Sequence, residues 1–335
     1  MLSYLAKRLA GALFVLFGLS IVIFLIARVV PGDPVRMALG PQAPQTVVED
    51  LRRQLHLDKP LLTQYFYWVG GAVRGDFGIS LMTNRPVTAD LKEYLPATLE
   101  LVLFASLLHG VMGVVLGVLA ASYSDSWLDN IVRVLAYIGV TTPGFVFAVL
   151  FMLIFGYWWH LLPVIGRISY GITVPRTITG MLTVDSLLTG NLSAFFDALK
   201  HLILPSVALA MGAMSQEARI TRSSMVENLN RDYIYMAAAQ GIPRRTIMRK
   251  YLLKPSLIPT VTVFGLGCAS TMAGAFLVEL IFNWPGFARY GITGMLMKDL
   301  NVISATVLVV ALCFVIVNIA VDIVVAYLDP RIRLQ

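Results

Sequence analysis

Residues 232–259 read DYIYMAAAQGIPRRTIMRKYLLKPSLIP and lie between two long apolar runs that they do not resemble. Asp232 is suited to cap a short helix whose body, Ile234 to Gln240, is rich in alanine, the best helix former. Gly241 supplies the left-handed residue that ends a helix without a Cβ penalty, and Pro243 is pre-set for the first turn of the next. In that second helix Ile247, Met248, Tyr251 and Leu252 fall along one face, while Arg244, Arg245, Arg249, Lys250 and Lys254 take much of the rest. The pattern predicts two short helices around a tight glycine turn, a rigid element for another protein to grip.

The sequence on either side is that of a polytopic membrane protein. Of 335 residues 58% are hydrophobic and only 13% charged, where a soluble domain carries about 25%. A net charge of +7 would also suit nucleic acid. A membrane protein, however, gathers Lys and Arg on its cytoplasmic loops and needs no such partner. Cys268 and Cys313 both lie inside apolar runs and read as small buried hydrophobes rather than a disulfide or metal pair.

Six spans are expected. The first runs from Leu9 to Ala27 behind Lys7 and Arg8. It exceeds the ~7–15-residue core of a cleaved signal peptide, so it is expected to remain as an anchor with Arg28 snorkelling at its far end. Five more cover roughly 97–121, 132–159, 200–221, 257–280 and 302–328. Gly113 and Gly117 form a small-xxx-small pair that permits close helix approach. Pro143-Gly144 in the third span and Pro205 in the fourth are expected to kink them.

The chain thus divides into a first helix (1–30), an external loop subdomain (31–95) and a core (96–335) with a cytoplasmic loop at 228–256. In the external subdomain, Val47, Val48, Leu51 and Leu55 suggest a short amphipathic helix. Tyr65, Phe66, Tyr67 and Trp68 suit a membrane–water interface, and Gly75-Asp76-Phe77-Gly78 reads as a turn. A second external loop runs from Leu161 to Leu199. Thirteen basic residues fall on the side shared by both termini and the alanine-rich loop, against five in the two shorter opposite loops. Both termini are therefore expected in the cytoplasm of a multi-pass protein of the cytoplasmic membrane.

Enzymatic signatures are missing from the sequence. It has no G-x-x-x-x-G-K-[ST] phosphate loop, no H-E-x-x-H, no Cys/His ligand spacing and no G-x-S-x-G elbow. Glu100, Glu217, Glu279 and Asp322 sit in or near span ends. An intramembrane acid is a functional candidate by default, and a helix-end role explains them as well. The positive-inside rule alone would account for the basic residues of 232–254. It does not account for Ala237-Ala238-Ala239, Gly241, Pro243 or the apolar face, and a solvated tether would be richer in Gly, Ser and charge.

The loop resembles the cytoplasmic loop of ABC importer permeases, with Gly241 as its central glycine and Pro259 as its trailing proline. More narrowly, the chain resembles the dipeptide/oligopeptide/nickel permease family. In its first third the matching stretches are Pro31-Gly32-Asp33-Pro34, Leu57-Asp58-Lys59-Pro60, Gly75-Asp76-Phe77-Gly78-Ile79-Ser80 and Pro96-Ala97-Thr98-Leu99-Glu100. Further on come Arg222-Ser223-Ser224-Met225, Asp232-Tyr233-Ile234, Trp284-Pro285-Gly286 and Asp329-Pro330-Arg331-Ile332-Arg333. The order is the family's from first span to last. Tyr235 stands where the glutamate that names the loop would fall, Ala238 where relatives usually carry Arg, and Gln240 where they usually carry Lys.

The resemblance implies an all-α membrane protein with six transmembrane helices of the type I ABC importer permease architecture and a small external subdomain after the first span. It implies a non-catalytic subunit forming half of an ATP-driven pathway for short peptides, with a nickel chelate or a glutathione-like compound as the alternative cargo. No cofactor would be bound by this chain, ATP and Mg being held by partner subunits. The implied partners are a second homologous permease, two cytoplasmic ATPase subunits or one fused pair, an extracytoplasmic solute-binding protein and membrane lipid, with no nucleic acid.

Asp232, Tyr233, Ala237, Ala238, Ala239, Gly241, Pro243, Arg244 and Arg245 would meet the ATPase. Asp33, Asp76 and Trp68 would meet the binding protein, and Glu100, Pro143 and Glu279 would lie along the pathway. An intramembrane hydrolase would need a nucleophile–base pair at bilayer depth, and a self-contained carrier would show inverted halves. Neither signal is visible in the sequence.

Overall fold

Apolar runs of this length satisfy their backbone polar groups internally only as helices, and helices dominate the computed structural model, which describes residues 2–29, 34–40, 42–54 and 56–328. In chain order they are α1 (Leu2–Val29), α2 (Pro34–Leu39), α3 (Gln45–Gln54), α4 (Leu61–Val73), α5 (Val87–Ser122) and α6 (Trp127–Thr141). Next come α7 (Gly144–Phe151), continued by π-helical turns over Met152–Trp158, then α8 (Leu182–Leu188), α9 (Leu192–Leu229) and α10 (Asp232–Ala239). The series ends with α11 (Arg244–Thr246), continued by π-helical turns over Ile247–Leu253, then α12 (Lys254–Ile281), α13 (Phe287–Leu296) and α14 (Leu300–Leu328).

Among the described residues five helices are long and apolar enough to cross a membrane: α1, α5, α9, the continuous rise from Arg244 to Ile281, and α14. The third span departs from the expected kink: α6 and the helix that begins at Gly144 are apolar and long enough to cross only as a pair, and they meet at 108°. Thr142 is extended (ψ 123°), as the residue before a proline prefers, and Pro143 follows with ψ 142°. Pro96 and Pro205, by contrast, lie inside α5 and α9, which continue through them. The second short helix after Gly241 is not separate either, because it runs on without interruption into the fifth span.

The chain forms two compact units, one built on Leu99–Trp284 and the other on Leu5–Thr98 with Pro285–Cys313. In the first, α9 is the hub and packs against α6, α7, α8 and α12. The Gly113/Gly117 pair works as expected: a Cβ on Gly117 would lie 2.5 Å from the Thr221 Cβ, and one on Gly113 would lie 2.7 Å from the Glu217 Cβ. Helices α5 and α9 can meet this closely only because both side chains are missing.

In the second unit the segment between α4 and α5 is stapled by polar contacts to the residues around α13. The Ser80 hydroxyl donates to the Asp299 carboxylate at 2.8 Å, and the Asn301 amide donates to the Ile79 carbonyl at 2.8 Å. Asp90 accepts from Thr83 at 2.6 Å and from the Tyr290 hydroxyl at 3.0 Å. The amphipathic helix expected near residue 50 is present as α3, with Val48 fully buried. Tyr65 is buried against Phe24, its hydroxyl 2.8 Å from Ser20, while Phe66 and Tyr67 are exposed.

Candidate functional site

Local chemistry shapes the element that follows α9. Arg231, extended at φ −86° and ψ 143°, occupies the cap position, and Asp232 is the first helical residue with no side-chain capping bond to it. This corrects the capping role expected of Asp232. Its carboxylate lies in the first turn, where the helix dipole favours a negative charge. At the other end Gly241 adopts φ +72°. The Ile242 N–H reaches back to the Ala237 carbonyl at 3.2 Å and the Gly241 N–H to that of Ala238 at 3.0 Å. This 6→1 and 5→2 pairing closes the helix in a Schellman motif, which requires the left-handed residue that glycine provides. Pro243 then starts the next turn, its carbonyl accepting from Thr246 at 2.8 Å.

The element is fastened to the membrane helices by apolar contact. Ile234, Ala237, Ile247 and Leu252 form one buried cluster with Ala121 at the end of α5 and Met225 of α9, and Met248 and Tyr251 pack partly against it. The face expected along the second helix is therefore the face that is buried. Ala237, placed among the partner contacts by sequence, is 5% exposed: its small side chain seats α10 on the bundle instead of presenting itself outward. The outward surface carries Asp232, Tyr233, Tyr235, Met236, Ala238, Ala239, Gly241, Pro243, Arg244 and Arg245. Tyr235 and Met236 are 61% and 65% exposed. Asn228 and Ser256 tie α9 to the start of α12 behind it, at 2.9 Å.

The other predicted residues lie elsewhere. Glu100 is 5% exposed and fully engaged: one oxygen accepts from the Thr183 N–H and hydroxyl, each at 2.6 Å, and the other pairs with Arg167. The Arg167 guanidinium also donates to the Gly180 carbonyl at 3.1 Å and stacks over Trp284, 5.6 Å from its ring centre. Glu100 thus fastens the loop after α7 rather than presenting a free carboxylate. Glu279 is fully buried, its carbonyl accepting from the Trp284 N–H at 2.8 Å, and Pro143 opens α7 at the break. Asp76 is exposed and receives the Gly78 N–H at 2.9 Å, a turn role. Trp68 packs beside Phe24 with ring centres 5.9 Å apart. Asp33 and the 329–333 stretch lie outside the described residues.

Two carboxylates have roles that the sequence reading did not foresee. Asp185, 3% exposed, accepts from the N–H groups of Ile178, Thr179 and Gly180 and from the Thr179 hydroxyl. Burial works against its charge, but these hydrogen bonds outweigh it and hold the carboxyl below the usual carboxylate range. Glu217 is not a helix-end residue: it is fully buried mid-span and bonded to His109 Nδ1 at 2.6 Å. Its carboxylate lies where a Cβ on Gly113 or Gly267 would press on it, at 2.7 and 3.1 Å, and the Phe264 ring lies 5.2 Å from His109. An acid and a histidine in two apolar spans were the available signal, since intramembrane ionisable groups pair with one another. Among the described residues no group of three or more His, Cys, Asp or Glu is arranged to hold a metal ion.

A bundle of long apolar helices with a helix–turn element seated on them defines the class as a multi-span membrane protein. The comparisons give the same class a family. The family described as the binding-protein-dependent transport system inner membrane component matches residues 113–334, and its N-terminal companion, the membrane component N-terminal region, matches residues 1–102. The chain belongs to this family of inner-membrane importer permease subunits.

It is similar to a probable D,D-dipeptide transport system permease protein of Escherichia coli K12, 39% identical over 98% of this chain and 97% of the relative. A dipeptide transport system permease protein of Alkalihalophilus pseudofirmus is 38% identical over 99% and 100%. A glutathione transport system permease protein of Escherichia coli K12 is 33% identical over 99% of each.

Proposed function

We propose that this chain forms half of the translocation pathway of an ATP-driven importer of short peptides, and that residues 232–253 are the lever through which a separate ATPase drives it. The observation that carries this reading is the build of the element. It is a closed helix–turn unit, clamped by apolar contacts to α5 and α9, and continuous with the fifth membrane span. A push on its exposed Tyr235–Met236–Ala239 surface would reach three spans at once, a rigid-body switch rather than a local rearrangement. Short peptides as cargo are supported by the dipeptide permeases among the relatives, and the glutathione permease supports the second reading, a γ-linked tripeptide.

The complete assembly would comprise this chain, a second permease, two ATPase subunits holding ATP and Mg, and an external binding protein. This chain itself would do no hydrolysis. Both termini and residues 232–253 would face the cytoplasm, the side favoured by the basic residues.

Gly241→Val tests the lever. No atom lies within 4 Å of a Cβ built there, so the substitution acts through the φ of +72° alone. Expected are normal membrane insertion and loss of both ATPase co-purification and peptide uptake. Uptake at the wild-type rate would overturn the reading.

A further inference from the structure

Between α6 and α9 lies a cleft of about 200 Å³, lined by Arg133 and Tyr137 from one helix and Arg219, Arg222 and Ser223 from the other. It is bounded by two clamps. At one end Arg222 grips Asp129, its terminal nitrogen 2.6 Å from a carboxylate oxygen. At the other, Gly139 lets α6 close directly onto the Ser215 side chain. The remaining lining residues are Val132 and the small, buried Ala136 and Ala218.

The charge in this cleft is not balanced. Asp129 engages Arg222 and lies 3.8 Å from Arg133, and Asp125 in the preceding turn acts on Arg222 from further off. Among the described residues Arg219 bonds only the neutral Gln216 side chain, at 2.8 Å, and Arg133 bonds the neutral Asn130 amide. Two guanidinium groups are therefore left with mainly amide partners beside a vacant volume, with the hydroxyls of Tyr137 and Ser223 as further donors. Guanidinium forks match the geometry of a phosphate group. The outer side of α6 carries exposed Trp127, Ile131, Val134, Leu135 and Ile138. A tryptophan at the start of the helix suits a lipid headgroup region and the aliphatic residues suit acyl chains, whereas a site for a soluble anion would have no use for them.

The geometry points to a phosphate site for an anionic lipid in this cleft, with its chains lying along α6 and its headgroup linking the start of α6 to α9. Lipid chemistry is favoured over a passing peptide carboxylate because Arg133 and the exposed apolar residues are carried by the same helix. The orientation proposed above decides only which leaflet supplies the lipid.

The test uses the purified permease complex in nanodiscs of phosphatidylcholine alone or doped with phosphatidylglycerol or cardiolipin. Retained lipid is read by native mass spectrometry and thermal stability is followed in parallel. Wild type should keep anionic lipid and gain stability from it. Arg219→Gln should weaken retention about fivefold and the Arg133→Gln, Arg219→Gln pair about 30-fold, with Arg219→Lys restoring part of it.

Equal retention by the double variant and wild type would overturn the proposal. So would full displacement by inorganic phosphate, which would make this a simple anion site, or displacement by dipeptide, which would make it part of the pathway. Labelling of Ser223→Cys by a membrane-impermeant maleimide reports the leaflet separately, so a wrong orientation and a wrong ligand give different results.

Discussion

Around α9 the helix–turn element at 232–253 and the loop at 161–191, inner and outer in the orientation proposed above, are fastened by opposite kinds of contact. Ile234, Ala237, Ile247 and Leu252 hold residues 232–253 to α5 and α9 through apolar surface. Glu100, Asp185 and Asp197 hold the outer loop through carboxylates. Glu100 pairs with Arg167, Asp185 gathers three consecutive N–H groups, and Asp197 accepts from the Ser169 N–H at 2.6 Å and its hydroxyl at 2.9 Å. Apolar attraction is non-directional and scales with area. Charge-assisted hydrogen bonds are directional, and breaking one leaves an unpaired group in a partly dry place. Seating by packed surface suits the lever role proposed for 232–253, and directional carboxylate bonds suit a loop that keeps its shape.

The largest effect should follow from breaking the outer fastening. Glu100→Gln leaves the Arg167 guanidinium, 16% exposed, without its carboxylate. Loss of one partner of a buried pair costs about 3–5 kcal/mol, and the retained amide oxygen for Thr183 argues for the lower end. Thermal unfolding of the purified complex reads the loss, and limited proteolysis should place new cleavage within 161–191. The double replacement Glu100→Leu, Arg167→Met should recover most of it. Failure to recover would show that the two residues serve some purpose beyond holding each other.

At the inner element, Leu252→Ala removes a side chain 2% exposed from the cluster that seats it. The expected loss is about 2–4 kcal/mol, with Leu252→Met under about 1.5. Here the damage should appear in coupling as well as in stability: ATPase activity in the complex should respond less to peptide-loaded binding protein. Unchanged coupling with lowered stability would separate anchoring from force transmission and weaken the comparison.

Acid separates the two regions without mutation. The Asp185 carboxyl is held below its ordinary value of about 3.9. Its contribution is therefore complete above the unfolded value and is lost as pH falls through the folded one. Hydrogen exchange at 178–190 should accelerate as pH drops toward about 3, beyond the change in intrinsic rate, while 232–253 keeps its protection. Asp185→Asn should make the outer loop equally labile at neutral pH.

What the sequence disclosed follows the range of the forces involved. Gly241, Pro243 and the buried face of Ile247 and Leu252 were legible because helix ends and helix faces are written within a few residues. Gly113 and Gly117 were legible for the same reason, as one turn of one helix. Pro143 was visible, but not that it would break its span while Pro96 and Pro205 leave theirs intact, since neighbouring helices decide whether freed backbone groups find partners. The pairs Glu100–Arg167 and His109–Glu217 are 67 and 108 residues apart in the chain, and no periodicity links such positions. Ala237 was assigned to the wrong surface for a related reason. In an alanine run the pattern names the helix but not which member faces inward.

The smallest expected effect lies where a charged contact occurs on the inner element itself. Arg231 pairs with Glu227 at 2.5 Å just before α10, but the two side chains are 57% and 68% exposed. A pair this wet, four residues apart, is worth at most about 0.5 kcal/mol, because solvent screens it and two long side chains lose freedom to make it. Arg231→Ala should therefore leave unfolding temperature, ATPase association and uptake within error of wild type, and high salt should not alter that result. A measurable loss of ATPase association without loss of stability would mean that Arg231 meets the partner directly. The inner element would then be gripped partly by charge, and the contrast with the outer loop would hold only for how the element is seated, not for how it is driven.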